Sequence, residues 1–361
     1  MSENNIANTS ENTKVNETLP SEDTKGSNKK PRRKVSLLTK LLLVIDIIAI
    51  VCFYVVYGPV ESLREWYIMT AINTGKHKYL AYIFYDNDTI GEVINRNRVM
   101  YSGETTNPDL IHIVDNPNTG VYANAYDREI LEHDPDQKFK VITIDEDGMY
   151  GWLTVIYQPK NLRLVVTNTT QGEYITEFAD RFNSDVVING GGFYLTSNYT
   201  RYNMGSIILD GQVFKDTGEV ENQIAMDYDG RLLLLNANIN EVAKHNVKWS
   251  LFFYPFFIVN GVKTQYGPGS NPGGLEPRTA IGQRADGIVI LMTIDGRGGN
   301  GSRGANFRQM TEIFDRYSCI NAANLDGGGS TMLAINHELV NSPVSYQGAG
   351  ERYIYNAIVL E

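Results

Sequence analysis

Apolar residues are distributed along the chain in several textures. Met1 to Ser27 is Asn, Ser, Thr and Glu with almost no large apolar side chain, so it cannot offset its ordering entropy and is expected to be a disordered tail. An apolar run then reads LLLVIDIIAIVCFYVVY from Leu41 to Tyr57. Counted from Val35 it is 23 residues long, enough at 1.5 Å per residue to cross a ~30 Å hydrocarbon layer. Between 58 and 138 the pattern is mixed. Val60 to Met69 has helical spacing, Tyr79 to Tyr85 is apolar, and Asp86 or Asp88 is placed to cap a short helix through Val93-Ile94. Pro108 and the Asn-Pro-Asn-Thr-Gly run at 116–120 break that pattern.

From about Phe139 the texture becomes short apolar stretches separated by turn residues. Val141–Ile144, Trp152–Tyr157, Leu162–Val166 and Asp185–Ile188 read as strands, and Ile175–Phe182 as a helix. Asp210-Gly211 and Asp229-Gly230 sit between apolar runs and predict two hairpins, Met204–Phe214 and Ile224–Leu235. Further strands are expected at Gly287–Ile294, Ala322–Asp326, 331–335 and 352–360, with a helix at Ala305–Tyr317. Many strands with few helices predict an α+β domain on a mixed β-sheet. The expected organisation is a disordered tail 1–34, a transmembrane helix 35–57, a stalk or adaptor 58–138 without catalytic residues, and a domain 139–361.

Charge sharpens the topology. Lys29-Lys30-Pro31-Arg32-Arg33-Lys34 precedes the apolar run, which places that end in the cytoplasm and the rest of the chain outside it. A cleaved signal peptide would have a shorter apolar region, and no small-x-small cleavage site precedes Gly58-Pro59. Asp46 within the span either pairs with a partner helix or is tolerated at an interface. Residues 1–57 hold eight Lys/Arg against six Asp/Glu, so of the net charge of −10 the remainder carries −12. So acidic a domain is a poor binder of phosphate backbones, and nucleic acid is not an expected partner. Of the two cysteines, Cys52 lies in the span and Cys319 in the domain, so no disulfide forms within the domain. Cys319 reads as a small buried hydrophobe.

Candidate chemistry lies in four polar-glycine clusters placed where predicted strands end. They are Asn189-Gly190-Gly191-Gly192-Phe193, Glu276-Pro277-Arg278-Thr279-Ala280, Asp295-Gly296-Arg297 and Asn324-Leu325-Asp326-Gly327-Gly328-Gly329-Ser330. Strand ends hold functional groups because the sheet fixes them while loops leave them accessible. Three consecutive glycines contribute no packing, so two such runs, each led by Asn or Asp, suggest close backbone approach to a ligand. Gly296-Arg297-Gly298-Gly299-Asn300-Gly301 satisfies a dinucleotide pattern, but no βαβ unit opens the domain and the next acid after the following strand, Asp326, lies too far on. None of the five histidines lies in a glycine cluster, which argues against a His-based nucleophile.

Taken in order, NGGGF, the Asp210-Gly211 hairpin, EPRTAIG, DGR, NLDGGGS and a closing Arg352…Asn356 strand resemble the phosphodiester glycosidase family over about residues 140–361. Its lysosomal member removes N-acetylglucosamine from a phosphodiester to uncover mannose 6-phosphate, and bacterial members are associated with exopolysaccharide. The resemblance implies hydrolysis of a sugar-1-phosphodiester, with a carbohydrate or glycopolymer as substrate. Phosphate is already a good leaving group, so the site needs cationic or N–H donors for it and a carboxylate at the anomeric centre.

Arg278 and Arg297 suit the phosphate, and Asp326, followed by Asp295 and Glu276, the carboxylate role. Asn189, Thr279, Asn324 and Ser330 are the polar groups expected to bind substrate, with the N–H groups of Gly327, Gly328 and Gly329 at the phosphate or an oxyanion. Plainer roles stand beside these. Arg278 would only pair with Glu276 or Asp326, Asp295 would only cap its turn, or Asp326, Asp295 and Asn189 would ligate a divalent cation. No cofactor is otherwise expected. The main alternative to a membrane-anchored hydrolase is a non-catalytic module binding anionic cell-wall glycopolymer. A structural adaptor recruiting an export partner is the third reading.

Overall fold

The computed structural model of the chain describes residues 36–74, 77–100, 103–114, 120–195, 201–345 and 348–361. The expected tail 1–34, its basic cluster and most of the 116–120 turn lie outside the described residues. Helix α1 spans Leu37–Tyr57. Its segment Leu37–Tyr54, with mean hydropathy 2.4, is long and apolar enough to cross a membrane. The chain divides after Cys52, and Phe53–Glu361 forms one compact unit.

That unit opens with helices α2 (Glu61–Asn73), α3 (Tyr79–Phe84) and α4 (Asn87–Arg96). Asp86 caps α4 by accepting from the Thr89 amide at 2.7 Å, as its position predicts. The three helices bury Ile68, Ala81, Ile90 and Val93 against one another. In chain order the strands and later helices are β1 (Phe139–Glu146), β2 (Met149–Ile156), β3 (Leu162–Val166), α5 (Ile175–Phe182), β4 (Val186–Asn189), β5 (Ile207–Leu209), β6 (Gln212–Lys215), β7 (Glu221–Asp227) and β8 (Leu232–Ala237). They continue with β9 (Val247–Phe252), β10 (Phe256–Val259), β11 (Val262–Lys263), β12 (Arg278–Arg284), β13 (Val289–Ile294), α6 (Phe307–Arg316), β14 (Cys319–Asn324), β15 (Leu333–Ile335), β16 (Glu338–Leu339) and β17 (Asn356–Leu360).

Among the described residues three larger sheets result, β11-β10-β14-β12-β13-β2-β1, β16-β15-β4-β17-β3 and β8-β7-β9-β5-β6, beside three two-stranded ones. The α+β expectation holds, and both hairpins form, as β5–β6 and β7–β8. The sheets are not mixed, however. Every described strand pair is antiparallel, both the hairpin neighbours and the pairs formed by strands distant in the chain.

One core lies where the three sheets face each other. It takes Trp152 and Ile156 of β2, Ile188 of β4, Trp249 of β9 and Ile358 of β17. Period-2 alternation sends Leu153 and Val155 of β2 to the opposite face, where Ile313 and Phe314 of α6 cover them. Helix α5 likewise lays Ile175 and Phe178 on β4 and β17. Sheets covered on both faces read as continuous apolar runs, which is why their strands were visible as blocks. Helix α6 starts at a capping box, Asn306 Oδ1 accepting from the Gln309 amide at 3.0 Å and Gln309 Oε1 from the Asn306 amide at 3.0 Å.

The segment 58–138 is not a separate stalk. Glu65 on α2 is buried and accepts from the Ser270 amide (2.9 Å), the Ser270 hydroxyl (2.8 Å) and Arg96 Nε (2.8 Å). Burial opposes its charge, but these donors outweigh burial and hold its pKa below the usual carboxylate value. Thr106 exchanges two hydrogen bonds with Leu234 of β8, and Val99–Met100 pairs with Gln265–Tyr266.

Candidate active site

A cavity of about 710 Å³ opens where β12 and β14 meet the loops that follow β13 and β14. Three of the four glycine clusters supply its polar lining: Asp326 with Gly327–Ser330, Glu276 with Arg278, and Arg297. The convergence follows from strand order. Ala280 of β12 pairs with Asn324 of β14, and Arg278 with Ile294 of β13, so the three chain segments leave one sheet side by side. Arg278 and Thr279 open β12 rather than follow a strand.

Asp326, the end of the expected strand Ala322–Asp326, lies two residues past the observed end of β14 at Asn324. Its amide donates to the Gly190 carbonyl at 3.0 Å, and the next residues are pinned by the Gly328 amide on the Pro277 carbonyl at 2.8 Å. Burial pushes the Asp326 carboxyl above the ordinary carboxylate pKa, opposed by the Ser330 hydroxyl, the Arg352 charge and the Gly327 amide. The loop amides therefore have distinct uses. Gly327 serves Asp326 and Gly328 serves Pro277, and among the described residues only the Gly329 amide of the three has no chain partner.

Arg278 pairs with neither Glu276 nor Asp326. Its Nε donates to the Ala305 carbonyl at 3.0 Å, its second terminal nitrogen donates to the Gly273 and Gly274 carbonyls, and its guanidinium lies 4.5 Å over the Phe307 ring. Burial lowers its pKa to about 10, so it stays cationic at neutral pH. Arg297 is held by Glu276, with Nε at 2.9 Å and a terminal nitrogen at 2.8 Å from Oε2. Glu276 thus acts through Arg297.

Three expected substrate or catalytic residues, Asp295, Asn189 and Thr279, stand behind the cavity. Asp295 is buried beneath the glycine loop and accepts from Asn300 Nδ2 and Asn341 Nδ2, each at 2.8 Å, and from the Ser342 amide. This is the turn-holding role. In its glycine loop Gly299 makes a close approach to protein, a Cβ there meeting the Ser342 carbonyl at 2.3 Å. Asn189 and Thr279 are bonded to each other and to the chain, so neither offers a polar atom to the cavity. The Gly190–Gly192 run makes its close approach to protein, with a Cβ on Gly190 meeting Asn356 Oδ1 at 2.2 Å. With Asp295 and Asn189 so committed, the cation set of Asp326, Asp295 and Asn189 is not assembled. Among the described residues no group of three or more His, Cys, Asp or Glu side chains is placed to hold a metal ion.

Asn324 remains in the cavity wall. Its Nδ2 donates to the Tyr254 carbonyl at 2.8 Å, while its buried Oδ1 has no partner. The cavity also contains residues that were not among the expected site residues. Arg352 lies 4.9 Å over the Phe193 ring, and Phe253 and Tyr254 stack at 5.7 Å. Asn73, Thr74 and His77, from the segment expected to carry no site residues, complete the wall. Of these, Arg352 stood in sequence at the start of the closing motif and Phe193 at the end of NGGGF. Cys319 is buried, and burial pushes its thiol up, consistent with a core role.

Residues 182–361, which contain all four clusters, match the family described as phosphodiester glycosidase. The chain is 29% identical over 188 residues to the SPbeta prophage-derived uncharacterized protein YomE of Bacillus subtilis (strain 168), covering 48% of this chain and 28% of that one. It is 26% identical over 174 residues to the N-acetylglucosamine-1-phosphodiester alpha-N-acetylglucosaminidase of Mus musculus, covering 44% and 33% respectively. The solved catalytic domain of the zebrafish N-acetylglucosamine-1-phosphodiester alpha-N-acetylglucosaminidase, auto-inhibited by its pro-peptide, superposes with a TM-score of 0.52 at 19% identity, covering 64% of this chain and 85% of that one. At that identity the likeness is one of fold. The matched stretch spans about a third of the length of these curated relatives. Through residues 182–361, the chain belongs to the phosphodiester glycosidase family.

Proposed function

We propose that this chain is a membrane-anchored, extracytoplasmic hydrolase that cleaves sugar-1-phosphodiester linkages of a surface polysaccharide or glycopolymer. The observation that carries the reading is a half-buried carboxyl, Asp326, sharing one cavity with Arg278, Arg297 and Arg352. Cations hold the phosphodiester, and the carboxylate faces the anomeric carbon. Water adds to that carbon while the C1–O bond breaks; the phosphate leaves with the bonding pair, and Asp326 takes the proton from water. A carboxylate of raised pKa is a stronger base than an ordinary one. The Gly329 amide and Arg352 complete the phosphate site, Asn324 Oδ1 accepts from a ring hydroxyl, and Tyr254 and Phe253 pack on the sugar face. The apolar helix α1 and the basic residues before it support an anchor with the domain outside.

The test is release of free sugar from a panel of sugar-1-phosphodiesters, nucleotide sugars included, by the full chain in detergent. Wild type is expected to hydrolyse at least one and Asp326→Asn none. Binding of wall polymer without hydrolysis of any member, unchanged in Asp326→Asn, would replace this reading by the binding module.

A further inference from the structure

A second, smaller cavity of about 220 Å³ lies beside α2, lined by Ser62, Trp66, Asn271, Leu275 and Arg303 among others. Asn271 is only 5% exposed, and both its Oδ1 and its Nδ2 are buried without a partner. Its backbone is fixed, with the amide donating to Asn97 Oδ1 at 2.8 Å and the carbonyl accepting from Gly274 at 3.0 Å. The side chain therefore projects from a fixed backbone with both ends unpaired. A buried amide in that state calls for a partner from outside the chain. Of the neighbouring polar groups, Arg303 donates to the Asp147 carbonyl at 2.7 Å, Ser270 donates to Glu65, and Asn306 and Gln309 cap α6, so none of these is bonded to Asn271.

We infer that this cavity is a second carbohydrate subsite, which takes one pyranose ring of the glycan whose phosphodiester occupies the larger cavity. An amide presents a donor and an acceptor side by side, matching two adjacent ring hydroxyls that each donate and accept. Trp66, 43% exposed at the cavity wall, offers an apolar face for the C–H side of the ring. The volume is below the ~300–1,000 Å³ of pockets that enclose drug-sized ligands, leaving room for a single ring. Both cavities border one loop: Gly273 and Glu276 face the larger, Asn271 and Leu275 the smaller. Helix α2 spans the same interval, with Trp66 at the smaller cavity and Asn73 at the larger. Seven residues of helix separate them, about 10 Å along the axis. Only the assignment of both rings to one substrate rests on the hydrolase reading.

Of the three tryptophans, Trp152 and Trp249 are buried at 8% and 0% exposure, so Trp66 reports on the site. The full chain in detergent is titrated with the methyl α-glycosides of N-acetylglucosamine, glucose, galactose and mannose at millimolar concentration. At least one is expected to change tryptophan emission saturably, with affinity about tenfold weaker in Asn271→Ala. Trp66→Ala, on an exposed surface that keeps the fold, is expected to weaken the same binding measured by calorimetry. No saturable change with any of the four sugars, or equal affinity in both variants, would overturn the inference. Sugar binding without phosphodiester hydrolysis would remove only the hydrolase reading. Hydrolysis without sugar binding here would remove only this one.

Discussion

Asn189 Nδ2 donates to the main-chain carbonyl of Asp326 at 2.6 Å, while Asn189 Oδ1 accepts from Thr279 Oγ1 at 2.8 Å and from the Met332 amide at 3.0 Å. One side chain at the end of β4 therefore joins two sheets and fixes the carbonyl of the residue that carries the carboxyl. Asn189→Ala leaves these partners unpaired in the interior, a loss of about 1–3 kcal/mol for each group. Thermal unfolding of the full chain is expected to show that loss, and kinetics a fall in kcat with KM little changed. A raised KM at unchanged stability would make Asn189 a substrate contact instead.

Asp326→Asn tests the carboxyl in two ways. Activity is expected to fall about 10²–10⁴-fold. Burial raises the folded-state pKa above the unfolded value of 3.8, so the group's contribution to stability is present below that value and lost as pH rises through the folded pKa. The substitution removes this cost. The inactive variant is expected to melt higher than wild type at neutral pH, with the difference closing as the pH approaches 3.8.

Arg352 lowers the Asp326 pKa through its charge. In Arg352→Gln the pH at which kcat/KM reaches half its plateau is expected to move upward, because the carboxylate loses a stabilising cation. Loss of a charged hydrogen bond to phosphate would reduce kcat/KM about 10–100-fold. A pH profile identical to wild type would separate Arg352 from the carboxyl.

Glu276 and Arg297 are expected to behave as one unit. Arg297→Ala and Glu276→Gln should each reduce kcat/KM, with the double variant little worse than the poorer single one. The coupling is expected to be about 1 kcal/mol or more, limited by solvent screening, since Arg297 is 32% exposed. Additive losses would mean that Glu276 touches substrate directly.

Much of this was legible in residue order. The blocks Trp152–Tyr157 and Gly287–Ile294 appear as strands because both their faces are buried, and the Asp-Gly turns marked both hairpins. Strand β9 passed unread, its Lys248 and Ser250 interrupting the apolar pattern, and the PRTAIG motif turned out to open a strand. Asp295 and Asp326 look alike in sequence, each an acid before glycine at a strand end. Which of the two faces the cavity is decided by Asn300, Asn341 and Ser342 closing over Asp295.

By itself the sequence determined the apolar span, the α+β pattern, the acidic balance and the motifs that mark the family. These depend on composition and short-range periodicity, which residue order carries directly. Tertiary structure alone decided that Asn189 supports the site from behind and that Arg278 rests on backbone carbonyls. It also decided that Asn73, Thr74 and His77 form the far wall of the cavity. Such roles arise from how sheets pack, loops fold back and helices dock, in the case of Asn189 and Asp326 between residues more than a hundred positions apart, and no local pattern encodes them.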